Sequence, residues 1–167
     1  ASIIGHNPFT CSPLFAARTQ LADGTPVLRM YEYERLRGVS FQMDFFLPDG
    51  SRVLLARMRL VNENAQTVPT YWWSNIAVPE WRGGRVVVPA DAAYVARDGV
   101  IFKDSVPVDR GGDDVTYPVN NPKAVDHFWK IAPERRKYIA HLNADGCGLV
   151  QASTHRQRGR KRCVWGP

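Results

Sequence analysis

Val39-Ser40-Phe41-Gln42-Met43-Asp44-Phe45-Phe46-Leu47-Pro48-Asp49-Gly50, with the returning run from Ser51 to Leu60, decides the fold class. In an extended chain Val39, Phe41, Met43, Phe45 and Leu47 fall on one face and Ser40, Gln42 and Asp44 on the other. That period of two is the mark of a strand with one buried face. Pro48-Asp49-Gly50 is turn chemistry, and beyond it Leu54, Ala56, Met58 and Leu60 alternate with Arg57, Arg59 and Val61. The two runs predict a β-hairpin with an apolar and a polar side.

On the N-terminal side, Pro26 to Leu36 reads as another strand, with Tyr31 and Tyr33 on one face and Glu32 and Glu34 on the other. Carboxylates at i and i+2 stand roughly 6.5–7 Å apart, a spacing compatible with an acid/base pair. The plainer reading is an exposed edge of alternating charge beside Arg29, Arg35 and Arg37. After a turn at Asn62 to Gln66 comes Val68 to Pro79, which sets two of the five tryptophans side by side between prolines. As a strand it places Tyr71, Trp73 and Asn75 on one face and Thr70, Trp72, Ser74 and Ile76 on the other. A Tyr-Trp-Asn row joins flat aromatic surface to an amide that donates and accepts, which suits a sugar. The bland alternative makes Trp73 a core residue and Asn75 a cap before Pro79.

The rest of the chain carries weaker signals. Arg85 to Pro89 predicts a short buried strand, and Asp91 to Asp114 a long loop with small strands, broken by Gly, Asp and Pro. Val125 to Ile131 is expected to form one or two helical turns, limited by Pro133. Lys137 to Leu142 and Gly148 to Thr154 flank Asn143-Ala144-Asp145-Gly146, a second hairpin, and Arg162 to Trp165 starts a further strand. The expected architecture is all-β, an antiparallel β-sandwich with little helix, in a single domain over residues 1–167.

Composition narrows the function classes. With 167 residues, 44% apolar and 23% charged, the chain is ordinary for a globular protein, and no apolar run approaches the ~20 residues of a spanning helix. The net charge of +6 comes mostly from Arg156 to Arg162. Apolar Cys163-Val164-Trp165 follows directly, so this run reads as a solvated turn leading into a strand. There is no zinc-finger spacing, helix-turn-helix pattern or aromatic RNP motif, which argues against a nucleic-acid partner. Cys11, Cys147 and Cys163 lie far apart without metal-ligand spacing. Free thiols in a reducing, cytoplasmic setting are the expectation, one long-range disulfide the alternative, and neither metal nor cofactor is expected.

Among titrating residues His6, in the Gly5-His6-Asn7-Pro8 turn, is the one candidate for catalysis or a sugar contact; a structural hydrogen-bonding role is the commoner fate of such a residue. Asp91, Asp104, Asp113 and Asp114 are placed in Gly-rich loops from which a rim ligand is within reach. The chain contains no Ser-His-Asp motif, phosphate-cradling loop or dinucleotide fingerprint.

Several segments carry a resemblance: Gly5 to Thr10, Val27 to Arg35, Tyr71-Trp72-Trp73-Ser74-Asn75, Arg85 to Ala90, Tyr117-Pro118, Ala144-Asp145-Gly146, and Arg158 to Lys161 with Val164-Trp165-Gly166. In this order they resemble a bacterial domain-of-unknown-function family found ahead of tetratricopeptide repeats, itself similar to the galactose mutarotase-like supersandwich. The resemblance implies a central fragment of a larger β domain, saccharide recognition or processing, a tetratricopeptide-repeat region in the full-length protein, and sheet edges paired by a second copy or companion chain. Carbohydrate contacts are then expected from His6, Tyr71, Trp73, Asn75, Asp104 and Tyr117. The mutarotase strand histidine has no counterpart at Trp73-Ser74-Asn75, so that activity is not expected. His155 and Cys163 stand where the family leads one to expect an aspartate and an aromatic. A non-enzymatic interaction module attached to helical repeats is the competing reading.

Overall fold

The computed structural model describes residues 12–70 and 72–165. Within them the protein is all-β: every strand pairing is antiparallel, and the helical content is one 3-10 turn at Pro118–Asn120. The chain divides into two compact units, residues 1–73 and 74–167.

The first unit is a four-stranded meander of β1 (Phe15–Gln20), β2 (Pro26–Glu34), β3 (Val39–Phe46) and β4 (Leu55–Asn62), paired in that order. The β3–β4 hairpin is the one the alternation predicts. Its turn is closed by the Ser51 N–H donating to the Pro48 carbonyl at 2.9 Å, with Gly50 at a φ of 71° that a side chain would resist. Val39 and Phe41 are buried, and the Trp72 ring lies against Phe41 with centroids 5.8 Å apart. β2 is not an edge strand as expected but runs between β1 and β3. Its Glu34 carboxylate accepts the Leu36 and Arg37 N–H groups at 2.8 and 3.0 Å, which commits it to the β2–β3 turn and away from acid/base work.

The second unit holds two sheets. One is β10 (Gly148–Ser153), β9 (Lys137–Leu142) and β5 (Arg85–Val87); the other is β11 (Lys161–Val164), β8 (Val125–Ile131), β6 (Ala90–Arg97) and β7 (Val100–Ser105). Val86 from the first sheet, Ala93, Val95, Val125, Trp129 and Val164 from the second, and Val115 from a connection share one apolar core. Burying each large member contributes roughly 1.5–3 kcal/mol.

Two expectations are corrected here. The segment taken for a decorated loop is a regular hairpin, β6–β7, turning on Asp98-Gly99, both at positive φ as the tight two-residue turn demands. Its alanines supply little hydrophobic contrast, which hides the alternation. Val125 to Ile131 is not helical but the second strand of its sheet, with Val125, His127 and Trp129 inward and Asp126, Phe128 and Lys130 outward. A polar residue on the inner face and an aromatic on the outer one mask its period of two.

Candidate functional site

Register places four side chains in one row across the first unit: Phe15 on β1, Tyr31 on β2, Gln42 on β3 and Arg59 on β4. Strands about 4.8 Å apart make this row about 14 Å long. Phe15 and Tyr31 stack with centroids 5.5 Å apart and planes 25° from parallel, and they remain 58% and 41% exposed. Tyr33, also exposed, follows Tyr31 on the same face. The sheet thus offers an aromatic shelf at one end of the row and a guanidinium at the other.

The neighbouring row is Ala17, Arg29, Asp44 and Arg57. Although placed among the polar positions of β3, Asp44 is 0% exposed, because its neighbours close over it. Arg29 Nε donates to Oδ1 at 2.7 Å and Nη2 to Oδ2 at 3.1 Å, a two-pronged grip; Arg57 Nη2 and Gln42 Nε2 donate to Oδ2 at 2.8 and 3.0 Å. The Arg29 hydrogen bonds, backed by those from Arg57 and Gln42, hold this carboxyl well below the usual carboxylate range against the opposing effect of burial. Asp44 is therefore a fixed anion, saturated by donors, with no proton to give. Arg57 also lies over the Phe46 ring at 5.8 Å. What the face offers a ligand is the outer guanidinium N–H groups, the Gln42 carbonyl and the aromatic shelf.

The residues expected from the sequence fare differently. His6 and Tyr71 lie outside the described residues. Residues 72–80 form no strand, so the Tyr-Trp-Asn row of alternating side chains does not arise; Pro69 and Pro79 bound the segment and lack the N–H a ladder needs. Trp73, 40% exposed, closes the first unit, and exposed Asn75 belongs to the second. Asp104 is not in a loop but buried on β7, where it accepts the Ser105 and Arg110 N–H groups at 2.9 and 3.0 Å and pairs with Arg110 Nε at 3.4 Å. Asp91 likewise lies within β6. Tyr117 is half-buried beneath the Arg85 guanidinium, 5.1 Å from its ring, and Arg85 itself donates to Thr116 Oγ1 at 3.1 Å. Asp104 and Tyr117 thus serve local structure. Sequence reasoning missed the Arg29, Asp44 and Arg57 row, since only strand register sets the three side by side.

The second unit buries a polar group of its own. Arg162 Nη1 donates to the Val115 carbonyl at 2.7 Å, and Nη2 lies 3.0 Å from His127 Nδ1. Burial, reinforced by Arg162 and Arg97, pushes His127 down to about 4, so at neutral pH its imidazole is uncharged and Nδ1 accepts a hydrogen bond from the Arg162 guanidinium. His127 stacks on Trp129 at 5.4 Å, and Arg162 covers the same indole. Arg162 lies at the strand entry the sequence suggests, but as a core residue rather than a solvated one. A shallow open depression of about 480 Å³ between Pro133 and His155 is lined by Lys137, whose ammonium is taken up by the Ala132, Pro133 and Arg135 carbonyls.

Among the described residues, no group of three or more His, Cys, Asp or Glu side chains could hold a metal ion, and no helix is long and apolar enough to cross a membrane. Cys147 and Cys163 are free thiols, and Cys11 lies outside the described residues. No protein-family model, curated protein or solved structure matches the chain.

Proposed function

We propose that this chain is a carbohydrate-binding β protein whose saccharide lies across the open face of the β1–β4 sheet. The row of Phe15, Tyr31, Gln42 and Arg59 carries the reading. Stacked rings supply a flat apolar surface for the C–H face of a pyranose, and amide and guanidinium groups meet its oxygens. The site replaces the Tyr71, Trp73 and Asn75 platform with residues held rigidly on paired strands. Binding rather than hydrolysis is the activity proposed: among the described residues Asp44 is the single acid that the strands place on this face, and its oxygens are taken up by donors, whereas glycoside cleavage uses two available carboxyls. In this reading the chain works as a recognition domain joined to a tetratricopeptide-repeat region.

The test is a glycan-array screen of the whole chain followed by titration of each hit against Tyr31→Ala. Tyr31 is well exposed, so the variant is expected to keep its melting temperature within a few degrees while losing at least about tenfold in affinity. Unchanged affinity in a folded variant would remove the platform. The alternative, a protein-interaction module, draws support from the opposite face of the same sheet, where Leu28 and Leu60 are exposed.

A further inference from the structure

We infer that the saccharide taken by this face is acidic, bearing a carboxylate or sulfate that pairs with Arg59; the inference rests on the carbohydrate reading of the same site. The charge on this face complements an anion. Strand register puts Arg29, Arg57 and Arg59 on the aromatic face together with one carboxylate, Asp44, an excess of two positive charges. The reverse face carries Arg18 against Glu32 and Glu34, so the excess belongs to one side of the sheet. Asp44 is consumed within the sheet by Arg29, Arg57 and Gln42 and offers an incoming ligand little accepting capacity.

Arg59 is different from the other two guanidiniums. It is exposed, and among the described residues no carboxylate lies within ion-pair distance of it. Its place in the row is beside Gln42 and two strands from Tyr31, roughly 10 Å away. A sugar stacked on the Phe15–Tyr31 shelf therefore directs its next residue toward a planar fork of donors, the geometry that grips a carboxylate or sulfate through two parallel hydrogen bonds. A neutral glycan would meet that fork through hydroxyl oxygens alone, without the ionic component. Single-stranded nucleic acid also combines flat rings with negative charge. Here, however, the two rings stack on each other rather than standing apart as slots for successive bases, and a buried anion sits mid-face.

The experiment uses the whole chain and matched pairs that differ in charge alone: hexagalacturonate against its methyl ester, and a chondroitin sulfate hexasaccharide against its desulfated, esterified form. Calorimetric titration at 50 mM salt is expected to show at least one acidic member binding about tenfold or more tighter than its neutral partner. Arg59→Gln should erase that preference and Arg59→Lys should keep part of it, the acidic member losing more affinity than the neutral one in each case. Equal binding of both members of every bound pair overturns the acidic assignment, a preference that survives Arg59→Gln overturns the pairing with Arg59, and both results leave the carbohydrate reading standing. No binding of any glycan by the folded protein overturns both. Capture of poly-uridylate instead, with affinity falling steeply between 50 and 200 mM salt, would assign the face to nucleic acid.

Discussion

In the first unit a buried charge, Asp44, is gripped by two arginines and an amide; in the second one of the buried charges, Arg162, leans on a carbonyl and a neutral histidine. The Asp44 network keeps its outer guanidiniums in water, 33% and 47% exposed at Arg29 and Arg57, and stands beside exposed rings. Arg162 is closed in by Trp129 and His127. Similar chemical groups thus meet opposite surroundings. A charge paired within a sheet but open above it can recognise a ligand, whereas a charge sealed in a core acts on stability. The positive charge of the C-terminal segment is correspondingly less available to a polyanion than its sequence implies.

The largest effect should come from the sealed side. Trp129→Ala removes the indole that both His127 and Arg162 cover, at the centre of the second unit's core. A loss of about 3–5 kcal/mol is expected, read from denaturant midpoints and from lost amide protection in β6 and β8. A cost under about 1 kcal/mol would mean that this core does not depend on its polar stack.

The two units should also part company with pH. His127 has a folded value of about 4 against an ordinary 6.5, so between these limits the unfolded chain binds a proton that the folded chain refuses. Its stabilising contribution is complete above pH 6.5 and is lost as pH falls toward 4, by at most about 3 kcal/mol. His141, lowered by burial and by Arg162, acts with the same sign. Asp44 is depressed below its ordinary 3.8, so its contribution is complete above that value and fades only in stronger acid. Hydrogen exchange between pH 7 and 4.5 should show β8 and β11 losing protection while β3 holds, and His127→Gln should flatten most of the β8 slope. Equal losses in β3 over this window would break the distinction.

A smaller effect is expected from Asp44→Ala, which leaves two partly hydrated guanidiniums facing each other. It should cost about 2 kcal/mol, less than breaking a fully buried pair because both arginines retain water. Saccharide affinity should fall with it, as Arg29 and Arg57 lose their common anchor. An Asp44→Ala protein with native stability and binding would show that the row orders itself without its anion.

Much of this architecture is legible in the sequence where strand periodicity is strong. The β3–β4 and β9–β10 hairpins stand out because apolar and polar residues alternate around good turns. β6 and β8 do not, since alanines and an inward His127 blur the contrast that identifies a buried face. The site is less legible still. Tyr31 and Tyr33 announce a shared face through their i, i+2 spacing, but Arg29, Asp44 and Arg57 are widely separated in sequence and become one row only through register. The Trp72-Trp73 pair drew attention by composition, yet an aromatic run between prolines says little about which sheet, if any, it joins.

The smallest predicted effect isolates what burial contributes. Lys161 and Asp126 pair at 2.8 Å on the outer side of β11 and β8, the same distance that separates Arg57 from Asp44. Lys161 and Asp126 are 43% and 39% exposed, whereas Asp44 is fully enclosed. Distance alone would rank the two pairs as equals. Solvent screening and the entropy of holding a long side chain reduce the exposed pair to about 0.5 kcal/mol, so Lys161→Gln should shift the denaturation midpoint only slightly, and 1 M salt should abolish the difference. The Asp44→Ala deficit should instead persist in salt, because ions cannot enter an enclosed carboxylate's surroundings. If Lys161→Gln proved as costly as Asp44→Ala, pair distance rather than enclosure would govern these interactions, and the contrast between the open and sealed networks would lose its physical basis.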